Sequence, residues 1–255
     1  MKKHALITGA GTGIGASIAA TLVKAGFRTS LLGRRKGQLE MTAAKLDTAV
    51  ENRQCMSCDV GIESSVKQAF SQARKGFGEI HILVNCAGIA PTNPFHKLTS
   101  KQWNEVLKVN LNGVFHCTAE VIGDMRNSRY GRIINIASTA SLRGYAYVSA
   151  YTAAKHGVLG LTRALALECA AMGITVNAVC PGYTDTEIIS QAVSNIMATT
   201  GQSRQQAEAN FTSTNPQGRL IDPEEVAATV AWLCSDSAKS INGQAISVCG
   251  GETNF

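Results

Sequence analysis

The sequence predicts an α/β fold in which a doubly wound parallel sheet of seven strands is flanked by helices, and three observations predict it. Apolar runs of strand length alternate with longer segments of helical period, the pattern of repeated βαβ units. A glycine-rich turn joins the first apolar run to the first helical segment. No linker, composition break or fixed-period repeat divides the 255 residues, so one domain over 1–255 is the economical reading.

Strands are expected at 4–8, 29–33, 53–58, 80–85, 132–137, 175–180 and 245–249, where β-branched and other apolar residues are bounded by turn formers. Helices are expected at 13–25, 36–50, 63–77, 100–125, 151–172 and 223–234. Two helix starts carry explicit caps: Thr99 with Gln102, and Asp222 with Pro223 at the first helical position and Glu225 three residues after the cap. The stretch from 182 to 218 breaks the rhythm. It is long and rich in Ser, Thr, Gln and Asn, and it leaves the carboxyl end of a strand, where open parallel sheets bind ligands. A substrate lid at about 183–217 is the expectation.

Composition excludes several classes. A chain that is 45% hydrophobic and 16% charged can bury a large core and is not disordered in bulk, and 5% aromatics imply a core of Ala, Val, Ile and Leu. The formal net charge of +6 is mild and its residues are scattered, which argues against nucleic acid as a partner. Lys2 and Lys3 precede an uncharged stretch over 5–23, as in a leader or a membrane span, but Gly9, Gly11, Gly13 and Gly15 interrupt it. A cytoplasmic protein with no membrane partner is expected. The eight cysteines lack the dense spacing of a secreted disulfide framework, so reduced thiols are expected. Cys55 and Cys58 form a C-x-x-C, yet they fall in a strand-like run where alternate residues face opposite ways, and no second pair stands at zinc spacing. His4, His81, His96, His116 and His156 show no metal spacing either, so no metal site is expected.

The first chemical motif is Thr8-Gly9-Ala10-Gly11-Thr12-Gly13-Ile14-Gly15. Glycines let backbone N–H groups approach a pyrophosphate, and the helix that follows adds about half a positive charge at its N-terminus. Glycines alone would only make a turn. Their place between a strand and a helix gives a Rossmann-like dinucleotide site with Gly9, Thr12, Gly13, Ile14 and Gly15 as contacts. The second strand ends Gly33-Arg34-Arg35, where an NAD-preferring chain would offer an acid to the ribose hydroxyls. Arg34 offers instead a planar donor to a 2′-phosphate, so NADP(H) is the preferred cofactor, with NAD(H) possible. Asp59 and Val60 close the third strand where they would face the adenine, although Asp59 serves equally as a helix or turn cap.

The decisive constellation is Ser138, Tyr151 and Lys155. Tyr151 and Lys155, four apart, share a helix face. An unperturbed phenol has a pKa of about 10, too high for efficient proton transfer near neutrality, and a nearby cation would bring it down. His156 points about 140° away from Tyr151 around the same helix at 3.6 residues per turn and is left out of the chemistry.

With these motifs in place, the whole chain resembles the short-chain dehydrogenase/reductase family. The glycine motif matches Thr8 to Gly15, the Asn-x-Ala-Gly motif matches Asn85-Cys86-Ala87-Gly88, and the active-site Asn matches Asn110 in Val109-Asn110-Leu111-Asn112-Gly113. The family's Ser, Tyr and Lys match Ser138, Tyr151 and Lys155, thirteen and four residues apart. Pro181-Gly182 with Thr184 and Thr186 looks like the segment lining the nicotinamide end. The resemblance implies that Tyr151 protonates a carbonyl oxygen as hydride arrives, that Ser138 holds that oxygen, and that Lys155 binds the nicotinamide ribose and lowers the Tyr151 pKa. It implies further that Asn110 holds a water linking Lys155 to solvent, and that Asn85, Ala87 and Gly88 shape the strand end beside the cofactor. Cys86 departs from an Asn common in the family and should pack as a small hydrophobe.

Residues 136–158, 173–182 and 245–251 are similar to those of aromatic polyketide ketoreductases and of 3-oxoacyl or 3-hydroxyacyl thioester oxidoreductases. The Pro-Gly-Gly that some polyketide enzymes carry after Asn-x-Ala-Gly is replaced by Ile89-Ala90-Pro91, so a CoA or acyl-carrier thioester leads. Arg126, Arg129, Arg132, Arg143 and Arg204 are available to an anionic carrier. A reductase of simple alcohols, sugars, steroids or polyketide ketones shares every motif, and a non-catalytic NADP-binding sensor shares the fold. The family's common assembly implies a homotetramer built on the two long helices expected at 100–125 and 151–172.

Overall fold

A computed structural model of the chain describes residues 2–253. The strands β1 (His4–Thr8), β2 (Arg28–Gly33), β3 (Arg53–Ser57), β4 (Ile82–Asn85), β5 (Gly131–Ile136), β6 (Ile174–Pro181) and β7 (Ala245–Val248) form one parallel sheet in the order β3-β2-β1-β4-β5-β6-β7. The chain winds outward from β1 in one direction and from β4 in the other. Loops leaving the carboxyl ends of these two strands therefore diverge and open a crevice, the place where such sheets take ligands.

Helices α1 (Gly13–Lys24), α2 (Lys36–Ala44), α3 (Glu63–Phe77), α4 (Ser100–Leu107), α5 (Gly113–Ser128), α6 (Ser149–Cys169), α7 (Glu187–Thr200), α8 (Arg204–Thr212) and α9 (Pro223–Cys234) accompany the sheet. The alternation within β1 decides which helices sit where. Ala5 and Ile7 face a core completed by Ile18 and Leu22 of α1 and by Val226 and Val230 of α9, while Leu6 faces Phe70 of α3 and Val121 and Met125 of α5. Both faces are apolar because both are covered. Each fully buried Leu or Phe there contributes about 1.5–3 kcal/mol by leaving water.

The strands keep their expected places to within two residues at each end, and four helical segments depart from the sequence expectations. The helix expected over 36–50 ends at Ala44. The helix expected over 100–125 is divided by a π-helical turn, Lys108–Asn112, into α4 and α5. The catalytic helix begins two residues early, at Ser149, and closes in a 3-10 turn, Ala170–Met172. The segment expected as a lid contains two helices, α7 and α8, and is anchored by the buried residues Val193, Ala207 and Asn215. Its polar surface hides these sparse anchors, which are too few to give a clear helical period. Both expected caps are present: Gln102 and Thr99 bond reciprocally, and the Asp222 N–H donates to Glu225 Oε2 at 2.9 Å. Among the described residues no helix is long and apolar enough to cross a membrane, and no group of three or more His, Cys, Asp or Glu is placed to hold a metal ion.

Candidate active site

The glycine turn lies at the mouth of the crevice because backbone elements meet there. Gly9 is left-handed at φ 68°, and a Cβ on it would stand 2.9 Å from the Ala87 backbone. Thr8 closes the same junction: its Oγ accepts the N–H groups of Cys86 at 3.0 Å and Ala87 at 3.1 Å. Gly13, at φ 51°, opens α1, and a Cβ on it would press on Thr186 at 3.0 Å. The segment after β6 thus reaches the turn after β1, and Thr12, Ile14 and Gly15 follow at the N-terminus of α1. This helix end has no acid in its first turn and Thr12 makes no side-chain cap, so backbone N–H groups remain for an anion. The residues fit a dinucleotide pyrophosphate.

Beside this turn the structure separates residues that the sequence groups together. The Asn85 side chain is 3% exposed and donates to Asn135 Oδ1 at 2.9 Å and to Thr118 Oγ at 3.3 Å, while Asn135 donates to Thr162 Oγ at 2.9 Å. Its amide ties β4 to β5 and α5 and, through Asn135, to α6, while its buried Oδ1 has no partner among the described residues. Asp59 likewise has a local partner, accepting the Gly61 N–H at 2.9 Å, which is the turn-capping alternative. Val60 is buried. Arg34 is exposed at the end of β2 and is free to reach a phosphate. Ala87 and Gly88 do line the crevice, Gly88 so closely that a Cβ on it would stand 2.8 Å from Asn110 Oδ1 and 4.0 Å from Lys155 Nζ.

Asn110 sits in the π-helical turn and is fully buried. Its amide donates to the carbonyls of Ile89 at 2.8 Å and Val106 at 3.0 Å, and its Oδ1 accepts the Ile89 N–H at 3.2 Å. The carboxamide therefore holds the loop after β4, and both its ends are engaged by protein. Its Oδ1 accepts one bond and keeps a second lone pair on the side of Gly88 and Lys155, so the water-holding role stays a proposal.

Ser138, Tyr151 and Lys155 come together at the carboxyl end of β5. Ser138 is extended at φ −174° and caps a 3-10 turn, Thr139–Ser141, with its Oγ accepting the Ala140 N–H at 3.0 Å. That bond leaves the hydroxyl proton free to donate. Burial pushes the Tyr151 phenol up from its ordinary value, and a hydrogen bond with Ser138 opposes the shift. Lys155, 5% exposed, donates to the Ile136 carbonyl at 2.7 Å, and its Nζ stands 5.5 Å from the Tyr151 ring centre. Burial lowers its pKa to about 8. Desolvation is the largest influence on the phenol, which keeps part of its surface exposed, while Lys155 is buried beside it. Cys86 and Cys180 lie near Lys155 with thiols held protonated by burial, at about 12 and about 11. His156 is exposed and bonds its own helix, to Thr152 O at 2.9 Å.

Beyond β6, Thr184 donates to the Gly182 carbonyl at 3.0 Å and Thr186 to the Thr184 carbonyl at 3.2 Å, which folds the segment after Pro181 back toward the glycine turn. Four residues that the sequence reading does not single out surround it. Tyr145 and Tyr183 pack edge to face at 6.2 Å, Tyr183 and Phe211 of α8 at 5.1 Å, and Glu252 reaches Tyr145 from the chain's end. The Gly250-Gly251 pair is the one sequence signal that the chain turns back there.

Fold and site together define a dinucleotide-dependent oxidoreductase that works on a carbonyl and its alcohol. Residues 3–196 match the short chain dehydrogenase family model, and the chain belongs to that family, whose members act on CH–OH groups with NAD(P). It is 39% identical over 253 residues to a monensin polyketide synthase putative ketoacyl reductase of Streptomyces virginiae, covering 98% of this chain and 97% of that one, and 38% identical over 252 residues to an acetoacetyl-CoA reductase of Rhizobium meliloti, covering 99% of both. Among solved structures it resembles a single-site variant of the actinorhodin polyketide ketoreductase with NADPH, at a TM-score of 0.94 and 36% identity over 100% of this chain and 98% of that one.

Proposed function

We propose that the protein reduces a 3-oxoacyl thioester, on CoA or an acyl carrier, to the 3-hydroxyacyl thioester, with NADPH preferred over NADH. The observation that carries the reduction itself is the convergence of the Ser138 hydroxyl and the Tyr151 phenol beside a buried Lys155. Ser138, whose lone pair is engaged by the Ala140 N–H, donates to the carbonyl oxygen and stabilises the charge that develops there. Tyr151 supplies the proton that turns this oxygen into a hydroxyl. Lys155, with a pKa of about 8, is mainly protonated at neutral pH and offers its remaining N–H bonds to ribose hydroxyls. The bound cofactor would supply the hydride, held by the glycine turn, Ala87, Gly88 and the segment from Pro181 to Thr186.

Similarity to the acetoacetyl-CoA reductase over nearly the full length supports the thioester, and the likeness to a structure holding NADPH supports the cofactor. Following the absorbance of NADPH with acetoacetyl-CoA, a bulky cyclic ketone and a keto sugar tests the proposal. Acetoacetyl-CoA is expected to lead in kcat/KM by about tenfold or more, a difference of about 1.4 kcal/mol in transition-state binding. A ketone without a thioester in first place would overturn it. The implied tetramer is supported by Phe115 on α5 and Leu167 on α6, which are 58% and 84% exposed. Light scattering that gave a stable 26.9 kDa species at micromolar concentration would remove it.

A further inference from the structure

We infer that Glu252 is a positioning residue for the reduction: through Tyr145 and Thr139 it fixes the turn that aims the Ser138 hydroxyl, and it joins that turn to the base of the lid.

The chain after β7 reaches the site by a reversal that only glycines make easily. Gly250 and Gly251 are left-handed, at φ 62° and φ 94°. Each is pressed against the stretch that follows α8: a Cβ on Gly250 would collide with the Asn215 side chain, and one on Gly251 would stand 3.4 Å from Pro216. Asn215 is itself 7% exposed, and its amide donates to the Arg219 carbonyl at 2.7 Å, so this base is firm. The tail continues with Cys249 and Thr253 closing on each other, Sγ to Oγ at 3.4 Å, and Thr253 donates to Ser247 Oγ at 3.1 Å. Between these anchors Glu252 points at the catalytic loop.

There it meets Tyr145, whose hydroxyl stands 2.6 Å from Glu252 Oε1 and 2.8 Å from Thr139 Oγ. A phenol has one proton to donate, and the carboxylate can only accept. The proton therefore goes to Glu252, and Thr139 donates its own hydroxyl proton to the Tyr145 oxygen. Arg143 lies over the Tyr145 ring at 5.0 Å and donates to the Glu252 carbonyl at 3.5 Å, which holds the loop from its other side. Thr139 is the residue after Ser138, it is 4% exposed, and it opens the turn whose Ala140 N–H fixes Ser138 Oγ. A relay of two hydrogen bonds thus runs from the tail to the hydroxyl that faces the substrate. The Glu252 Oε2 lies near Gly182, where a Cβ would come within 3.1 Å of it, so the same carboxylate packs on the segment leading into the lid.

The test compares Glu252→Ala, Glu252→Gln and Tyr145→Phe in the full chain with whichever ketone the wild type turns over, following kcat, KM, NADPH binding by fluorescence and Tm. Loosening a group that must be held in place for reaction costs on the order of ten- to a hundredfold in rate. Glu252→Ala and Tyr145→Phe are expected to lose kcat in that range while NADPH binds within about twofold, less than about 0.5 kcal/mol. Glu252→Gln keeps an acceptor for the phenol and should recover most of the rate. The double variant should be no slower than the worse single one, since both break one relay. Two results would overturn the inference: a Glu252→Ala protein with wild-type kcat and a lower Tm, or single-variant losses that multiply in the double variant. Tyr145→Phe, which changes one atom, keeps the question answerable if Glu252→Ala folds poorly.

Discussion

The two ends of the crevice are built in different ways. At the β1–β4 end the working parts are backbone: left-handed glycines, the free N–H groups of α1, and a strand junction closed by one threonine hydroxyl. At the β5–β7 end they are side chains drawn from four separate stretches: Ser138 to Tyr151, Tyr183, Phe211 and Glu252. A cofactor common to many reactions can be met by backbone, which varies little with sequence. A particular substrate has to be met by side chains, and there related chains are free to differ.

The largest effect should come from the side-chain end. Tyr151→Phe removes the proposed proton donor and leaves the ring in place, and general acid catalysis of this kind contributes roughly 10²- to 10⁴-fold, or about 3–5 kcal/mol of barrier. Turnover is expected to fall by about a thousandfold with NADPH affinity nearly unchanged. Lys155→Ala should injure both, since in the proposed reaction its ammonium holds the nicotinamide ribose and lies 5.5 Å from the Tyr151 ring centre. Should Tyr151→Phe retain about a tenth of wild-type kcat, the hydroxyl would supply less than about 1.4 kcal/mol and would not be the acid, and the division between a binding end and a reacting end would fail.

This division also explains what could be read in advance. The glycine turn, the cap at Thr99 and the Tyr151–Lys155 spacing depend on residues a few positions apart, so their geometry follows from the period of one helix or one turn. A doubly wound parallel sheet of seven strands follows from the alternation of strand-length and helix-length runs, whereas the strand order and the pairing of α1 with α9 appear only in the fold. Tyr145 and Glu252, 107 positions apart, carry no such signature, and only the fold brings them within 2.6 Å. Asn85 is legible as part of a motif but not in what it bonds. It stands inside a motif beside the cofactor, yet its carboxamide is turned into the sheet and bonds to Asn135, a partner 50 positions away. The π-helical turn at Asn110 is illegible for the same reason, since it exists to let that side chain clasp Ile89.

The next effect is on stability, at the base of the half that carries the glycine turn. His4 is fully buried in β1, with Nδ1 3.1 Å from the Gly78 carbonyl and Nε2 2.6 Å from Ser30 Oγ, which in turn accepts from Gln54 Nε2 at 2.7 Å. A carbonyl can only accept, so Nδ1 bears the proton and Nε2 accepts from Ser30. Burial lowers this imidazole to about 4, whereas in the unfolded chain it titrates near 6.5. The unfolded chain takes up the proton first. Stability is therefore full above pH 6.5 and is lost as pH falls from 6.5 through 4, by about 3 kcal/mol. Urea unfolding from about pH 7.5 to about pH 4.5 should show this fall, and His4→Gln, which cannot take the proton, should flatten it. A fall that persists in the variant would assign it to carboxylates, and the far edge of the cofactor half would then not rest on this histidine.

Cofactor choice follows, and it asks whether the backbone end has one side chain that discriminates. Gly33 stands where a carboxylate would repel a 2′-phosphate, and Arg34 beside it is exposed and able to pair with one. A charge-assisted bond of this kind contributes roughly 1.5–3 kcal/mol, which is on the order of ten- to a hundredfold in affinity. Titrating NADPH and NADH against wild type and Arg34→Ala at fixed ionic strength should show wild type preferring NADPH and the variant losing most of that preference, with NADH little changed. A wild type that prefers NADH would leave the cofactor end built by backbone alone.

The smallest effect tests how far that end depends on a prop from outside it. Thr42, on the inner face of α2 and 9% exposed, donates its hydroxyl to the Gly11 carbonyl at 2.9 Å, and Gln38 one turn earlier packs against the same glycine. A carbonyl fixed in this way orients the peptide that follows it, and with it the Thr12 N–H at the entrance to α1. Thr42→Val keeps the side chain's shape and removes only the donor. The lost bond is worth roughly 1 kcal/mol, and if it acts on the turn in its cofactor-bound form, NADPH affinity should fall about fivefold with kcat at saturation unchanged. Thr42→Ser, which restores the hydroxyl, should restore the affinity. If affinity holds and only Tm drops, the hydroxyl serves to seat α2 on the sheet, and the glycine turn keeps its shape through Thr8, Ala87 and its own left-handed residues.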